Sequence, residues 1–300
     1  MRQHTLSKSW DFSGKGLHTG TFSTMKVGPA PENTGIVFHR MDLGDVPVHA
    51  LAENVTSTAR STTIGEGNAE VHTIEHIMSA LTGMGIDNAR IDLDNLEVPI
   101  LDGSARFYAE AFAKDGLVEQ STDRKYITVP EPVEIRDGKS GSWVRIEPAE
   151  RLSFESTVDF DSSVLGVQKA SWDEGMDYGK ELAVCRTFVF FHEIEYLLSN
   201  NLIKGGDTDN ALIVVEHPVS QQQLDDMASA MGRPRLHVTP EGYLSNAELN
   251  FPNEIGRHKL LDLIGDIRLC GGFLSAKVTA YKPGHTINTN CAKAFRKLVK

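Results

Sequence analysis

The sequence predicts an α+β protein with two domains of similar α/β topology, packed face to face with a site between them. Three observations carry that expectation. A chain of 300 residues with 40% hydrophobic and 24% charged residues suits two soluble globular domains. Strand-like and helix-like patterns are interleaved along it. One order of elements also occurs twice. "VHTIEHIMSALTGMGIDNARIDL", then "PILDGSA" and a helix, is matched by "GRHKLLDLIGDIRLCGGFLSAKVTAY", then "KPGHT" and a helix. Each copy reads as histidine-bearing helix, glycine, strand, polar loop, helix. Two such units face to face bring both histidine helices to one cleft.

The first forty residues read as strands, with "TLSKSWDF" and "TFSTMKVG" flanking the glycine-bearing turn "GKGLHTG". From Val71 the period becomes helical: Ile74, Ile77, Met78 and Leu81 recur at helix spacing, and Gly83 and Gly85 end the run. The strand "NARIDLD" follows. "PILDGSA" then opens a helix through about Ala113, with Asp102 or Ser104 able to satisfy its first amides. Residues 116–125, "GLVEQSTDRK", are polar and unpatterned, so the domain boundary is placed there, giving domains 1–120 and 121–300. Strands are expected at "YITVPEPVEI", "WVRIEP" and "LSFESTVDF", with "RDGKSG" turning between the first two. A helix is expected over about 186–200, a buried strand at "ALIVVE", and a helix at "SQQQLDDMASAM". The chain closes with a helix at about 254–270, the strand "SAKVTAYK", and a last helix after "PGHTINTN".

A net charge of −11 argues against nucleic acid as a bulk partner, because no excess of cations is available to neutralise phosphates. The three cysteines, Cys185, Cys270 and Cys291, are scattered and lack a C-x-x-C pair, which points away from a disulfide framework or a thiolate metal site and toward a reducing compartment. "MRQHTLSKSW" lacks the apolar core of a signal peptide, and no run approaches ~20 apolar residues, so a cytoplasmic protein without a membrane span is expected.

Two helices carry candidate chemistry. His72-Thr73-Ile74-Glu75-His76 reads as H-x-x-E-H, the pattern of an inverted zinc-peptidase motif if the whole stretch is helical. In "RHKLLDLIGD", His258 and Asp262 are spaced i, i+4, and Asp266 continues that face. Alone, H-x-x-x-D also describes a solvated helix face, and H-x-x-E-H also describes one buried and one exposed histidine. In combination they supply a zinc site: three N/O ligands, an open position for water, and a base. His76, His258 and Asp262 supply the ligands and Glu75 the base. If His72 also bound, no place for water would be left, so one histidine or Asp262 must give way. "YKPGHT" sets Lys282 and His285 in a loop after a strand, over the same cleft if the repeat holds. "CRTFVFFHEIEYL" offers Thr187 beside Phe188, Phe190 and Ile194, which read as core or as the lining of a greasy channel.

These motifs resemble those of the UDP-3-O-acyl-N-acetylglucosamine deacetylase family, the zinc amidases of lipid A synthesis. "GKGLHTG", "IEHIMSALTGMGIDN", "PILDGSA", "RTFVFFHEIEYL", "RHKLLDLIGD" and "YKPGHT" occur in family order, from about Thr5 to Ala292. "VCRTFVFFHEIEYLLSNNLIKGGD" is most similar to versions fused to a 3-hydroxyacyl-carrier-protein dehydratase; such a dehydratase, fused or separate, is the implied partner.

The resemblance implies hydrolysis of the N-acetyl group of a UDP-3-O-(3-hydroxyacyl)-N-acetylglucosamine, with one Zn2+ per chain, although Fe2+ also suits an N/N/O site. It implies His76, His258 and Asp262 as ligands and Glu75 as general base. It implies His285 with its partner Asp266 in the cleft, and Thr187 on the oxyanion side. Lys259 and Lys282 are the implied pyrophosphate cations, and Asp159 and Phe160 the uridine contacts. The acyl passage falls in the 187–208 segment, with Phe188, Phe190 and Ile194. His72 stands where the family commonly has a small hydroxyl residue and is left as a bystander on the helix. The competing expectations are a zinc peptidase using His72, Glu75 and His76, and a non-catalytic nucleotide-lipid binding protein.

Overall fold

The structure, a computed structural model, describes residues 1–199, 202–230, 232–245 and 248–299. Its α-helices are α1 (Glu75–Gly83), α2 (Arg106–Asp115), the single turn α3 (Tyr178–Glu181), α4 (Phe191–Ser199), α5 (Gln221–Ala230), α6 (Glu254–Ile267) and α7 (His285–Val299).

Two sheets share one topology. The first runs, in spatial order, Trp10–Lys15, Phe22–Pro29, Ala89–Leu93, Ile36–Arg40, Val46–His49. The second runs Val133–Arg136, Trp143–Pro148, Leu274–Tyr281, Ser153–Asp159, Val167–Asp173. In both, the strand made last in sequence lies at the centre. It is antiparallel to the second strand and parallel to the third, and the outer pairs are antiparallel. A parallel neighbour requires a crossover. α1 lies in the first crossover and α6 in the second; α2 and α7 follow the central strands. The repeat of the sequence is therefore a repeat of whole units with a common five-strand order, to which the second adds a sixth short strand, Ile127–Thr128, parallel to the start of Leu274–Tyr281.

α1 and α6 carry the contact between the units. Almost every residue of each is buried, and Ile77, Met78 and Leu81 join Leu260, Leu261 and Ile264 in one apolar core. The helices approach closely at Gly265, where an added Cβ would stand 2.1 Å from the Glu75 carbonyl oxygen. Only glycine lets the helices meet at that distance. On the central strand Leu274–Tyr281, Leu274, Ala276, Val278 and Ala280 are buried while the residues between them are half-exposed, the period-2 pattern of a one-sided sheet.

The structure departs from the sequence expectations in several places, among them "YITVPEPVEI", which is two short strands, Ile127–Thr128 and Val133–Arg136, instead of one. Residues 117–123, read as unpatterned, form the strand Leu117–Asp123, antiparallel to Arg2–Leu6. Most of its side chains face solvent, so no apolar face announces it. The outer strand Val167–Asp173 went unread for the same reason, having only two fully buried residues. α1 begins at Glu75 and not at Val71, because Thr73 adopts a left-handed φ of 61° that a helix cannot contain. His72 is therefore not on the helix. The helix expected over 186–200 is a strand, Phe188–Phe190, followed by α4. The strand pairs in parallel with Leu212–Val214, and its aromatic and β-branched side chains suit that pairing. Asn200, and Met231 at the end of the next expected helix, lie outside the described residues. The final helix starts at His285, inside the motif read as loop. No helix among the described residues is long and apolar enough to cross a membrane.

Candidate active site

The site lies where α1 and α6 face each other. His76 enters on the first turn of α1, and His258 and Asp262 sit one turn apart on α6. The Asp262 Oδ1 is 3.6 Å from His76 Nε2 and 3.4 Å from His258 Nε2, and the two imidazoles meet edge to face with centroids 4.9 Å apart. All three are buried. The His258 Nδ1–H donates to the Cys185 carbonyl at 3.0 Å, which leaves the Nε2 lone pair directed at Asp262. Arg186, next in sequence, holds that loop to α6 through Glu254 at 2.9 Å.

Electrostatics favour the ligand forms. Burial pushes His76 down to about 3, helped by neighbouring His258, and burial likewise lowers His258. Burial opposes ionisation of Asp262, but Lys259 and the histidines outweigh it and hold the carboxyl well below its usual range. Neutral imidazoles and an ionised carboxylate are what a cation needs. Asp262 Oδ2 accepts from Lys259 Nζ at 2.9 Å, whereas the buried Oδ1 has no hydrogen-bond partner. An orphaned buried carboxylate oxygen between two imidazole nitrogens is costly by itself and fits a metal ion. The donor set is N, N, O.

Beside this cluster stands a second one. Glu75 is held by the Thr62 backbone N–H, which donates to Oε2 at 3.0 Å, and its Oε1 lies 3.8 Å from His285 Nε2. Burial pushes the Glu75 carboxyl up to about 7. His285 Nδ1 meets Asp266 Oδ2 at 3.0 Å. Burial would lower the His285 pKa, but the Asp266 and Glu75 carboxylates overcome it and raise it to about 9. Asp266, wholly buried, also accepts from the Thr62 hydroxyl at 2.5 Å and the Asn288 amide at 2.9 Å.

A cavity of about 320 Å³ opens over both clusters, walled by Thr187, Phe160, Phe188, Phe190 and Lys259 among others. A second, apolar cavity of about 280 Å³ shares Leu17, Arg60, Thr187 and Phe188 with it and continues along Val189, Ile194, Leu197 and Ile213. Thr187 is fixed by its N–H, which donates to the Gly103 carbonyl of "PILDGSA" at 2.8 Å. Phe160, Phe188 and Phe190 form an aromatic cluster with centroids 5.3–5.8 Å apart. Lys282 and Asp159 pair at 3.5 Å, and the Tyr281 hydroxyl donates to Asp159 at 2.9 Å; neither Lys282 nor Asp159 walls the cavity. His72 does not wall it either; its nearest ionic neighbour is Glu70 at 3.4 Å.

Three participants were missed in the sequence. Thr62 bonds both Glu75 and Asp266, yet sits in the unremarkable run "STT". Arg60 walls both cavities. Glu97, fully buried, accepts from the His18 and Thr19 backbones and from the Thr19 and Thr73 hydroxyls, so it ties the "GKGLHTG" loop to the start of α1. An acid inside the apolar run "NLEVPIL" was the available signal for Glu97.

Comparison with known proteins bears on this site. The chain matches the family described as "LpxC: UDP-3-O-acyl N-acetylglycosamine deacetylase" over residues 3–228 and 233–297. It is 42% identical, over its whole length, to proteins named "Bifunctional enzyme LpxC/FabZ" from Bacteroides thetaiotaomicron and Porphyromonas gingivalis, and it spans 65% of the length of each. It is 38% identical to a UDP-3-O-acyl-N-acetylglucosamine deacetylase from Trichormus variabilis, covering 98% of both chains. With a match from residue 3 to residue 297 and both histidine helices inside it, the chain belongs to the UDP-3-O-acyl-N-acetylglucosamine deacetylase family.

Proposed function

We propose that this chain removes the N-acetyl group of UDP-3-O-(3-hydroxyacyl)-N-acetylglucosamine, releasing acetate and the free glucosamine nucleotide lipid, the committed step of lipid A synthesis. The observation that carries the reading is the buried cluster of His76, His258 and Asp262 with Asp262 Oδ1 unpartnered between the two imidazoles. These three would hold Zn2+, or Fe2+ as the second choice. When bound, the metal supplies Lewis acidity and lowers the pKa of water toward ~7.

The protein's own groups then divide the work. Glu75, with a carboxyl poised near neutrality, takes the proton of the attacking water. The Thr187 hydroxyl donates to the oxyanion that develops on the acetyl carbonyl. His285, kept charged by Asp266, donates a proton to the departing amine, and Glu75 is the alternative donor. Lys259 and Lys282 face the pyrophosphate, and Phe160 beside Asp159 receives the uracil ring. The apolar cavity past Phe188 and Ile194 takes the acyl chain. The working units are residues 1–120 with α1 and 121–300 with α6 and the insert. The setting is cytoplasmic, and a 3-hydroxyacyl-carrier-protein dehydratase, fused or separate, is the partner.

A peptidase built on His72 has no support, because His72 precedes α1 and lies off the cavity. The test is zinc content measured together with acetate release from the acylated UDP-sugar. One zinc with stoichiometric acetate is expected; a metal-loaded protein that releases none would overturn the proposal.

A further inference from the structure

We propose that His192, Glu216 and His217 form a second, peripheral site for a borderline divalent cation of the zinc, copper or nickel kind.

The fold brings these residues together. Phe188–Phe190 and Leu212–Val214 pair in parallel with Phe190 opposite Val214. Past that pair one chain turns into α4, which carries His192 in its first turn, and the other runs on through Val215 to Glu216 and His217. Their donor atoms all lie within 4.8 Å of one another. His192 Nδ1 is 3.7 Å from Glu216 Oε2, a separation close to those in the His76, His258 and Asp262 cluster. The imidazoles of His192 and His217 are 5.6 Å apart, and the His192 ring is stacked on Phe190 at 22°, which limits its rotation.

The charge balance also favours a cation. Among the described residues, Glu216 pairs with no lysine or arginine. A third His/Asp grouping, His39 with Asp45 and Asp92, differs in that both of its carboxylates already have a cationic partner: Arg90 sits 2.7 Å from Asp45 and 2.6 Å from Asp92. Two imidazoles and one carboxylate suit the borderline metals over calcium or magnesium. His192 and His217 are exposed, so the ion has direct access and water completes its shell. Ligation would fasten the start of α4 to the segment after Leu212–Val214. Val189 and Ile194 lie on one side of that fastening and Ile213 on the other, and all three wall the apolar cavity. An occupied site therefore stiffens this wall.

Titration with Zn2+ of the protein already loaded at its main site tests this. One further equivalent is expected, with slowed amide exchange over 189–194 and 212–217. His192→Ala and His217→Ala should each weaken it at least about tenfold, the lower end of what losing even a supporting group does at metal sites. The double variant should abolish it while the melting temperature without added zinc stays unchanged. Cu2+ bound in place of the added Zn2+ should show two nitrogen donors by electron paramagnetic resonance. His258→Ala should lose the main-site metal and keep the peripheral one, so failure of either site is read separately. Absence of a second equivalent, or its persistence in the double variant, would overturn the proposal.

Discussion

Gly265 of α6 lies against the Glu75 carbonyl of α1 so closely that a β-carbon would stand 2.1 Å from that oxygen. The residue that brings the two domains together thus also sets the position of the proposed base. Gly265→Ala should separate the helices, costing about 1–3 kcal/mol as an overpacked core does, and turnover should fall with it. Thermal melting beside acetate release checks this; an unchanged melting temperature would show that the helices yield without strain.

Glu75→Ala should leave the metal bound while lowering kcat by roughly 10²–10⁴, the contribution of a general base. Glu75 Oε2 is occupied by the Thr62 N–H and Oε1 is near His285, so neither oxygen belongs to the metal cluster. Activity within about threefold of the parent would remove Glu75 from the mechanism.

The His285–Asp266 pair makes a prediction about pH. His285 is protonated up to about pH 9 because Asp266 and Glu75 outweigh its burial. Asp266→Asn removes the nearer carboxylate, so the acid form is lost at lower pH and the high-pH limb of kcat/KM moves down. The raised pKa also stabilises the fold. That contribution is fully present below the ordinary histidine value of 6.5 and is lost as pH rises through about 9. Asp266→Asn should therefore flatten the alkaline fall in stability, and a profile identical to the parent's in both respects would dissolve the pair.

The apolar cavity should select acyl length. Each buried methylene is worth about 0.8 kcal/mol, so a substrate shorter by four carbons loses up to about 3 kcal/mol, near two orders of magnitude in kcat/KM. Equal kcat/KM for long and short chains would make the 188–208 wall ordinary core.

The legible parts of the site and fold are those encoded locally. His76, His258, Asp262 and Asp266 stand on two helices, where i, i+4 spacing translates directly into one face. The duplicated helix–strand order stood out because α1 and α6 are buried on nearly all sides and so carry dense apolar patterns. What stayed hidden is held by distant contacts. Thr62 and Glu97 act from loops whose position depends on the rest of the fold. The Cys185 contribution is a backbone carbonyl, which any residue would supply. His72 misled because H-x-x-E-H assumes one continuous helix, and the left-handed Thr73, bonded through its hydroxyl to Glu97, interrupts it.

The most direct test of the account compares metal content in three variants: His72→Ser, His76→Ala and Asp262→Ala. His72 lies off the cavity, so His72→Ser should keep one metal ion and most of the acetate release. His76→Ala and Asp262→Ala each remove a ligand and should lose most of the metal affinity of the main site, read in protein prepared without added zinc. A metal-free His72→Ser beside a fully loaded Asp262→Ala would contradict the assignment at its centre.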